Sequence, residues 1–198
     1  HSACLDHLTP PGHPERPDRL RAIDRALENE EFANLAREQA PMADIETVAL
    51  AHPRSYVEAI REAAPREGMI ALDGDTSMST GSLEAALRAV GGAVLAVDEV
   101  VGGKVANAFV ATRPPGHHAE SERPMGFCLF NNVAVAARYA QKKHGLARVA
   151  IMDFDVHHGN GSQEIFWSDP SVMYCSTHQM PLYPGTGANS ERGDHDTI

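Results

Sequence analysis

Cysteine is scarce in this 198-residue chain: Cys4, Cys128 and Cys175 form an odd set with no C-x-x-C spacing. That argues against a disulfide framework and fits a reducing, cytoplasmic compartment. No apolar run approaches the roughly 18 to 20 residues that a bilayer span requires, so no membrane segment is predicted. Basic residues are outnumbered, with 17 Lys and Arg against 27 Asp and Glu and a formal net charge of -10. A nucleic-acid binder presents a basic face, so direct nucleic-acid binding is not expected. The acidity is compatible with a cationic substrate, but by itself it speaks first for ordinary solubility. Internal repeats, low-complexity linkers and a recognisable signal peptide are also lacking.

What is present suffices for one domain with a substantial core, since 42% of the residues are hydrophobic. Leu20, Ile23 and Leu27 recur at helical spacing after the proline-punctuated GHPERP, and Pro53 opens a second helix through Tyr56 and Ile60. Residues 80–101 read as a long small-residue helix, ending at Gly102 and Gly103, whose Ala and Gly content suits packing against a sheet. Strands are predicted over 105–112, 148–155 and 172–176, and helices over 131–144 and 161–167. Asn131 is a candidate N-cap. This alternation favours a parallel α/β sheet covered on both sides.

Two motifs carry chemistry. DFDVHHGNG, from Asp153 to Gly161, places two carboxylates and two imidazoles in six residues at the end of the apolar run RVAIM. A strand through Asp155 would send Asp153, Asp155 and His157 to one side at the carboxyl edge, where ligands of open α/β sheets bind. Carboxylate and imidazole suit Zn²⁺, whose catalytic sites use three protein ligands and an open position, while this motif alone also admits Mn²⁺, Mg²⁺ or a structural carboxylate network. The third ligand has to come from elsewhere. In the second motif, ANAFVATRPPGHHAE, a buried strand from Phe109 to Thr112 breaks at Pro114 and Pro115 into a loop with tandem His117 and His118. Two imidazoles beside a metal can divide proton transfer between them, which describes hydrolysis. GFCLFNN then sets Phe127 and Phe130 around an apolar slot. Cys128 reads as a small buried hydrophobe, Glu28, Glu30 and Glu31 as a solvated face, and His52, His144 and His178 as non-ligands.

RPPGHHAE, GFCLFNN, DFDVHHGNG and STHQMPLYPGTG, in this order, resemble the zinc-dependent histone deacetylase and acetylpolyamine amidohydrolase superfamily. GHPERPDRLRAI and LDGDTSMSTGSLEAA extend the resemblance over nearly the whole chain, and Asn160 with GHPERPDRL makes it similar to the class II and bacterial branch. The resemblance implies the arginase-deacetylase fold, a central parallel sheet with helices on both faces. It implies zinc on Asp155 and His157, and His117 and His118 as the catalytic pair, with Asp153 behind the first and Asn160 behind the second. An Asn there should leave His118 less inclined to hold a proton. Gly126 and Phe127 match one wall of the acyl-lysine tunnel, Tyr183 the opposing aromatic, commonly Phe, and Asp75 a rim acid that grips substrate. Structural potassium is implied at Asp153, Asp155, His157, Ser176 and Thr177, partly through backbone. A second monovalent site is implied on main-chain oxygens of Phe166, Asp169 and Val172.

The implied reaction is deacylation of acetylated lysine peptides or acetylpolyamines, with release of acetate. A manganese ureohydrolase-like enzyme and a non-catalytic acyl-ligand binder are the alternatives. A homo-oligomer is compatible, since polyamine-specific relatives narrow their mouths by dimerising. The family's third zinc ligand, a downstream Asp, and its catalytic Tyr have no matching motif, and Asp194 and Asp196 follow PGTG too soon to serve. The expectation is therefore that residues 1–198 form the amino-terminal and middle part of a single deacetylase catalytic domain, inactive alone.

Overall fold

The computed structural model describes residues 1–194 and 198, so Asp196 lies outside the described residues. Proline at the first helical position, with Asp18 in the first turn and Arg25 in the last, favours α1, Pro17–Leu27. Its buried side chain is Leu20, while Ile23 faces solvent. Short α2, Ile45–Val48, is capped by the Asp44 carboxylate, which accepts from the Thr47 N–H. α3, Arg54–Ala63, buries Tyr56, Val57 and Ile60 at helical spacing. An antiparallel hairpin follows, β1 Met69–Ala71 with β2 Ser77–Ser79.

The long helix α4, Ser82–Val101, ends at Gly102 as its composition predicts. Its adjacent glycines serve two neighbours: a Cβ at Gly92 would lie 3.2 Å from Val110 Cγ1 and 3.5 Å from Thr112 Cγ2, in the segment expected as a strand, while Gly91 faces another backbone. A Cβ at Gly91 would lie 2.0 Å from the Pro41 carbonyl oxygen, and the Ala43 N–H donates to the Leu87 carbonyl at 3.1 Å. Gly91 thus admits the extended backbone around Pro41 and Ala43 against the helix.

Beyond α4 lies the largest departure from the sequence reading. Residues 105–112 form no strand pairing among the described residues, and Phe109 is 72% exposed. An apolar run alone does not supply a ladder partner for its backbone, and periodicity cannot distinguish a buried strand from an extended apolar segment. α5, Asn132–His144, has Asn131 as its N-cap, accepting from the Ala134 N–H at 3.1 Å. It closes on left-handed Gly145 with Lys142, Lys143 and His144 in the last turn. β3, Val149–Asp153, and β4, Val172–Ser176, pair in parallel, Val149 opposite Val172 and Asp153 opposite Ser176. The crossover between them is α6, Asn160–Phe166. Ile151, Val172 and Tyr174 pack with Ala134 and Ala137 of α5 and Phe166 of α6. Met152 and Met173 on the opposite face are exposed. A second cluster, with Val57, Met78, Val90, Leu129 and Phe130, joins α3, β2 and α4 to the GFCLF turn.

One buried ion pair secures the loop that carries the tandem histidines. Arg113, immediately before Pro114, donates to the Glu15 carboxylate (Nη2 to Oε2, 2.6 Å) and to the carbonyls of Cys4 and His7 at 2.9 and 3.0 Å. Burial would raise the Glu15 carboxyl, but hydrogen bonds and charge from His7 and Arg113 outweigh it and lower the pKa from 4.5 to about 2. A depressed folded pKa means stability that is complete above the unfolded value near 4.5 and is lost as the pH falls toward 2. Glu15→Gln is therefore expected to cost about 3 kcal/mol at neutral pH. The difference from wild type should close near pH 2, measured by denaturant unfolding across that range. A constant difference at all pH values would show that the charge is not responsible.

Candidate active site

β3 stops at Asp153, so Asp155 and His157 are not further steps of a strand. Two side chains make the bend: Asp153 Oδ1 accepts the Asp155 N–H at 3.1 Å, and Asp155 Oδ1 accepts the His157 N–H at 2.8 Å. The three groups predicted to leave one side together are thereby divided. Asp153 turns inward to His117, whereas Asp155 and His157 form an exposed pair, Oδ1 and Nδ1 3.2 Å apart. Two ligands of a tetrahedral ion at about 2.0–2.1 Å lie about 3.3 Å apart, so this separation suits two donors of a divalent ion. No group of three His, Cys, Asp or Glu side chains among the described residues could hold a metal. Asp194 is occupied elsewhere, accepting from the Trp167 indole N–H at 3.1 Å and from the Ser168 hydroxyl.

The tandem histidines sit together, ring centroids 4.1 Å apart. His117 Nδ1 donates to Asp153 Oδ2 at 2.8 Å, because a carboxylate can only accept. The same oxygen accepts the Tyr174 hydroxyl at 3.0 Å, and that hydroxyl accepts the Gly159 N–H at 3.1 Å. A Cβ at Gly159 would lie 2.3 Å from Asp153 Oδ2 and 2.9 Å from His117 Nδ1, so glycine is required for this closure. Burial would raise the Asp153 carboxyl, but the His117 hydrogen bond and charge, with help from the Asp155 N–H and Tyr174, hold it below the ordinary range.

His118 is buried, and its Nδ1 lies 2.9 Å from Asn160 Oδ1. The Asn160 amide is oriented by its other end, where Nδ2 donates to Glu120 Oε1 at 2.9 Å. Its oxygen therefore faces His118 and only accepts, which puts the ring hydrogen on Nδ1 and leaves Nε2 with a free lone pair. Burial first, then the neighbouring His117, lowers the His118 pKa to about 4. At neutral pH His118 is an uncharged base.

The predicted wall residues divide. Gly126 and Phe127 both have positive φ, +56° and +70°. A Cβ at Gly126 would lie 2.4 Å from the His118 ring, so only glycine admits the turn beside His118. Asp75, predicted as a rim acid, anchors this turn: its Oδ1 accepts the Gly126 N–H at 3.1 Å and the Thr76 hydroxyl at 2.8 Å. Thr76 Oγ1 in turn accepts the Phe127 N–H at 3.0 Å. Phe127 meets His13 edge to face at 4.5 Å. Phe130, expected as a second wall, is instead buried in the core beside Tyr56 and His52, because the turn at Phe127 sends it inward. Tyr183 stands edge to face with His118 at 5.1 Å and with His157 at 6.4 Å.

Residues of the implied cation sites engage neighbouring groups at the end of the β3–β4 pair and in the short turns before β4. The Asp153 carbonyl accepts the Thr177 N–H at 2.9 Å, and Ser176 Oγ contacts His178 Nδ1 at 2.9 Å. The Phe166 carbonyl accepts from Asp169 and the Asp169 carbonyl from Val172, at 3.1 and 3.2 Å. Sequence reasoning missed Tyr174, Glu120, Thr76 and His158. Glu120 was visible within RPPGHHAE, and Tyr174 only as an inward position of a predicted strand. His52 is buried, accepting the Asn131 N–H at Nε2 (2.8 Å) and donating from Nδ1 to the Ser121 carbonyl (3.0 Å), a structural role.

Comparison with known proteins follows the same outline. Residues 13–197 match the model of the histone deacetylase domain. The chain is 44% identical to histone deacetylase 10, chloroplastic, of Oryza sativa, over 88% of this chain and 43% of the relative. It is 41% identical to a probable deacetylase of Archaeoglobus fulgidus, over 98% of this chain and 54% of the relative. The crystal structure of the HDA15 HD domain superimposes with a TM-score of 0.93 at 37% identity, over 100% of this chain and 59% of that one. The chain thus spans about half the length of the curated relatives it matches. No helix among the described residues is long and apolar enough to cross a membrane. Agreement in backbone, in order of motifs and in extent of match leads to one conclusion: the chain belongs to the histone deacetylase family and has the arginase-deacetylase fold.

Proposed function

We propose that the protein removes acetyl or related acyl groups from lysine side chains or polyamines by zinc-assisted amide hydrolysis. The observation that carries this reading is the fixed tautomer of buried His118, which leaves the lone pair on Nε2, with the His157 ring centroid 6.1 Å away. Asp155 Oδ1 and His157 Nδ1 would hold Zn²⁺, which when bound supplies Lewis acidity to a water and to the amide carbonyl. His118 takes the water proton on Nε2. His117, with the Asp153 carboxylate behind it, balances the charge that develops, and it or protonated His118 delivers a proton to the departing amine. Acetate and the free amine are the products. Phe127 and Tyr183 would flank the acyl chain, and Asp75 adds a negative rim suited to a cationic substrate. Structural potassium at Asp153, Asp155, His157, Ser176 and Thr177, a second monovalent cation at Phe166, Asp169 and Val172, and a cytoplasmic location belong to the same reading.

The full-length protein should release acetate from at least one member of a panel of acetyl-lysine peptides, acetylputrescine and acetylcadaverine, with inhibition by a hydroxamate. Stoichiometric zinc with no acetate from any substrate would overturn the proposal and favour a non-catalytic acyl-ligand binder.

A further inference from the structure

The loop that carries Tyr183 is held by side chains that lie outside the reacting groups. We infer that His158, Gln163 and Glu191 form a positioning device that sets the Tyr183 wall of the acyl site, an inference that rests on the deacylase reading of that site.

Hydrogen-bond direction along the chain is fully determined. The Glu191 carboxylate only accepts, and Gln163 Nε2 donates to its Oε2 at 2.5 Å. That turns Gln163 Oε1 toward His158 Nε2, 3.0 Å away, so His158 carries its hydrogen on Nε2. Its bare Nδ1 then accepts the Thr186 hydroxyl at 2.7 Å. Glu191 holds the same loop a second time, accepting the N–H groups of Gly187 and Ala188 at 3.0 and 3.2 Å. From the end of β4, His178 Nε2 contacts the Gly187 carbonyl at 3.1 Å.

Close approach leaves the loop no other seat. Gly187 has a φ of +90°, and a Cβ there would lie 2.4 Å from His178 Nε2 and 2.7 Å from His158 Cγ. His158 itself is 2% exposed. Directly before Thr186, a turn closed by the Gly185 N–H on the Leu182 carbonyl at 2.9 Å encloses Tyr183 and Pro184. Tyr183 therefore sits in a short turn whose following residues are hydrogen-bonded to His158 and Glu191. Its own contacts at the site are edge contacts with His118 and His157, which do not fix a half-exposed ring.

The test uses Thr186→Val, which keeps the shape and removes the hydroxyl, and Thr186→Ser, which restores it, in the full-length protein. Amide hydrogen exchange over residues 182–187 is expected to rise about tenfold in the valine variant, the order lost with one buried hydrogen bond. KM for an acetyl-lysine peptide should rise about fivefold with kcat within about twofold and bound zinc unchanged, and serine should restore both readouts. Wild-type exchange and KM in the valine variant would overturn the inference. So would losses of zinc and kcat that serine does not restore, which would assign the network a general structural role. If the wild type releases no acetate from any substrate, the deacylase reading fails, and the exchange comparison still decides whether this chain of groups holds the loop.

Discussion

Replacing His118 with alanine in the full-length protein is expected to lower kcat by about 10²- to 10⁴-fold, the range for loss of a positioned general base. Bound zinc should stay near the wild-type level, because His118 donates to Asn160 and is not one of the paired donors at Asp155 and His157. Glu120 orients the Asn160 amide, the amide orients the His118 hydrogen, and burial keeps the ring uncharged, so a single nitrogen is left to take a proton. Stopped assays of acetate release together with metal analysis check both halves of the expectation. Near-normal turnover with a full complement of zinc would remove His118 from the role of base.

Asp155→Ala is expected to abolish stoichiometric zinc and the activity with it, while the fold persists. The carboxylate is exposed, and the side chain takes no part in either apolar cluster. Its contributions are the local bend and one oxygen 3.2 Å from His157 Nδ1. A catalytic zinc site has about three protein ligands, so losing one lowers affinity steeply. Metal analysis after dialysis and circular dichroism separate loss of the ion from loss of structure. Zinc retained at one equivalent would show that Asp155 is not a ligand.

Much of the local structure was legible because its signals are local. Proline before α1, Asn131 before α5 and the glycines after α4 mark helix ends through backbone chemistry that each residue carries with it. The expected strand over 172–176 coincides with β4. The segment 105–112 forms none among the described residues, because a strand exists only with a partner and no local pattern supplies one. Phe130 failed as a wall for a related reason: alternation around Gly126 cannot reveal the left-handed backbone at Phe127 that turns the next aromatic inward.

The same division runs through the candidate site. DFDVHHGNG and RPPGHHAE by themselves determined which residue types are present for acid-base and metal chemistry, and their order with the other motifs determined the family resemblance. The resemblance already implied that Asp153 stands behind His117 and Asn160 behind His118, with Asp155 and His157 as a pair. Only the tertiary structure decided the distances and directions: Asp153 turned inward at 2.8 Å from His117, and the Asn160 oxygen turned toward the His118 ring by Glu120. It also anchored Arg113 to Glu15 across 98 positions and seated the Tyr183 loop on His158 and Glu191. Residue chemistry is carried by the chain one position at a time. The direction of a hydrogen bond, the charge state of a buried ring and the wall of a pocket depend on groups that meet only after folding.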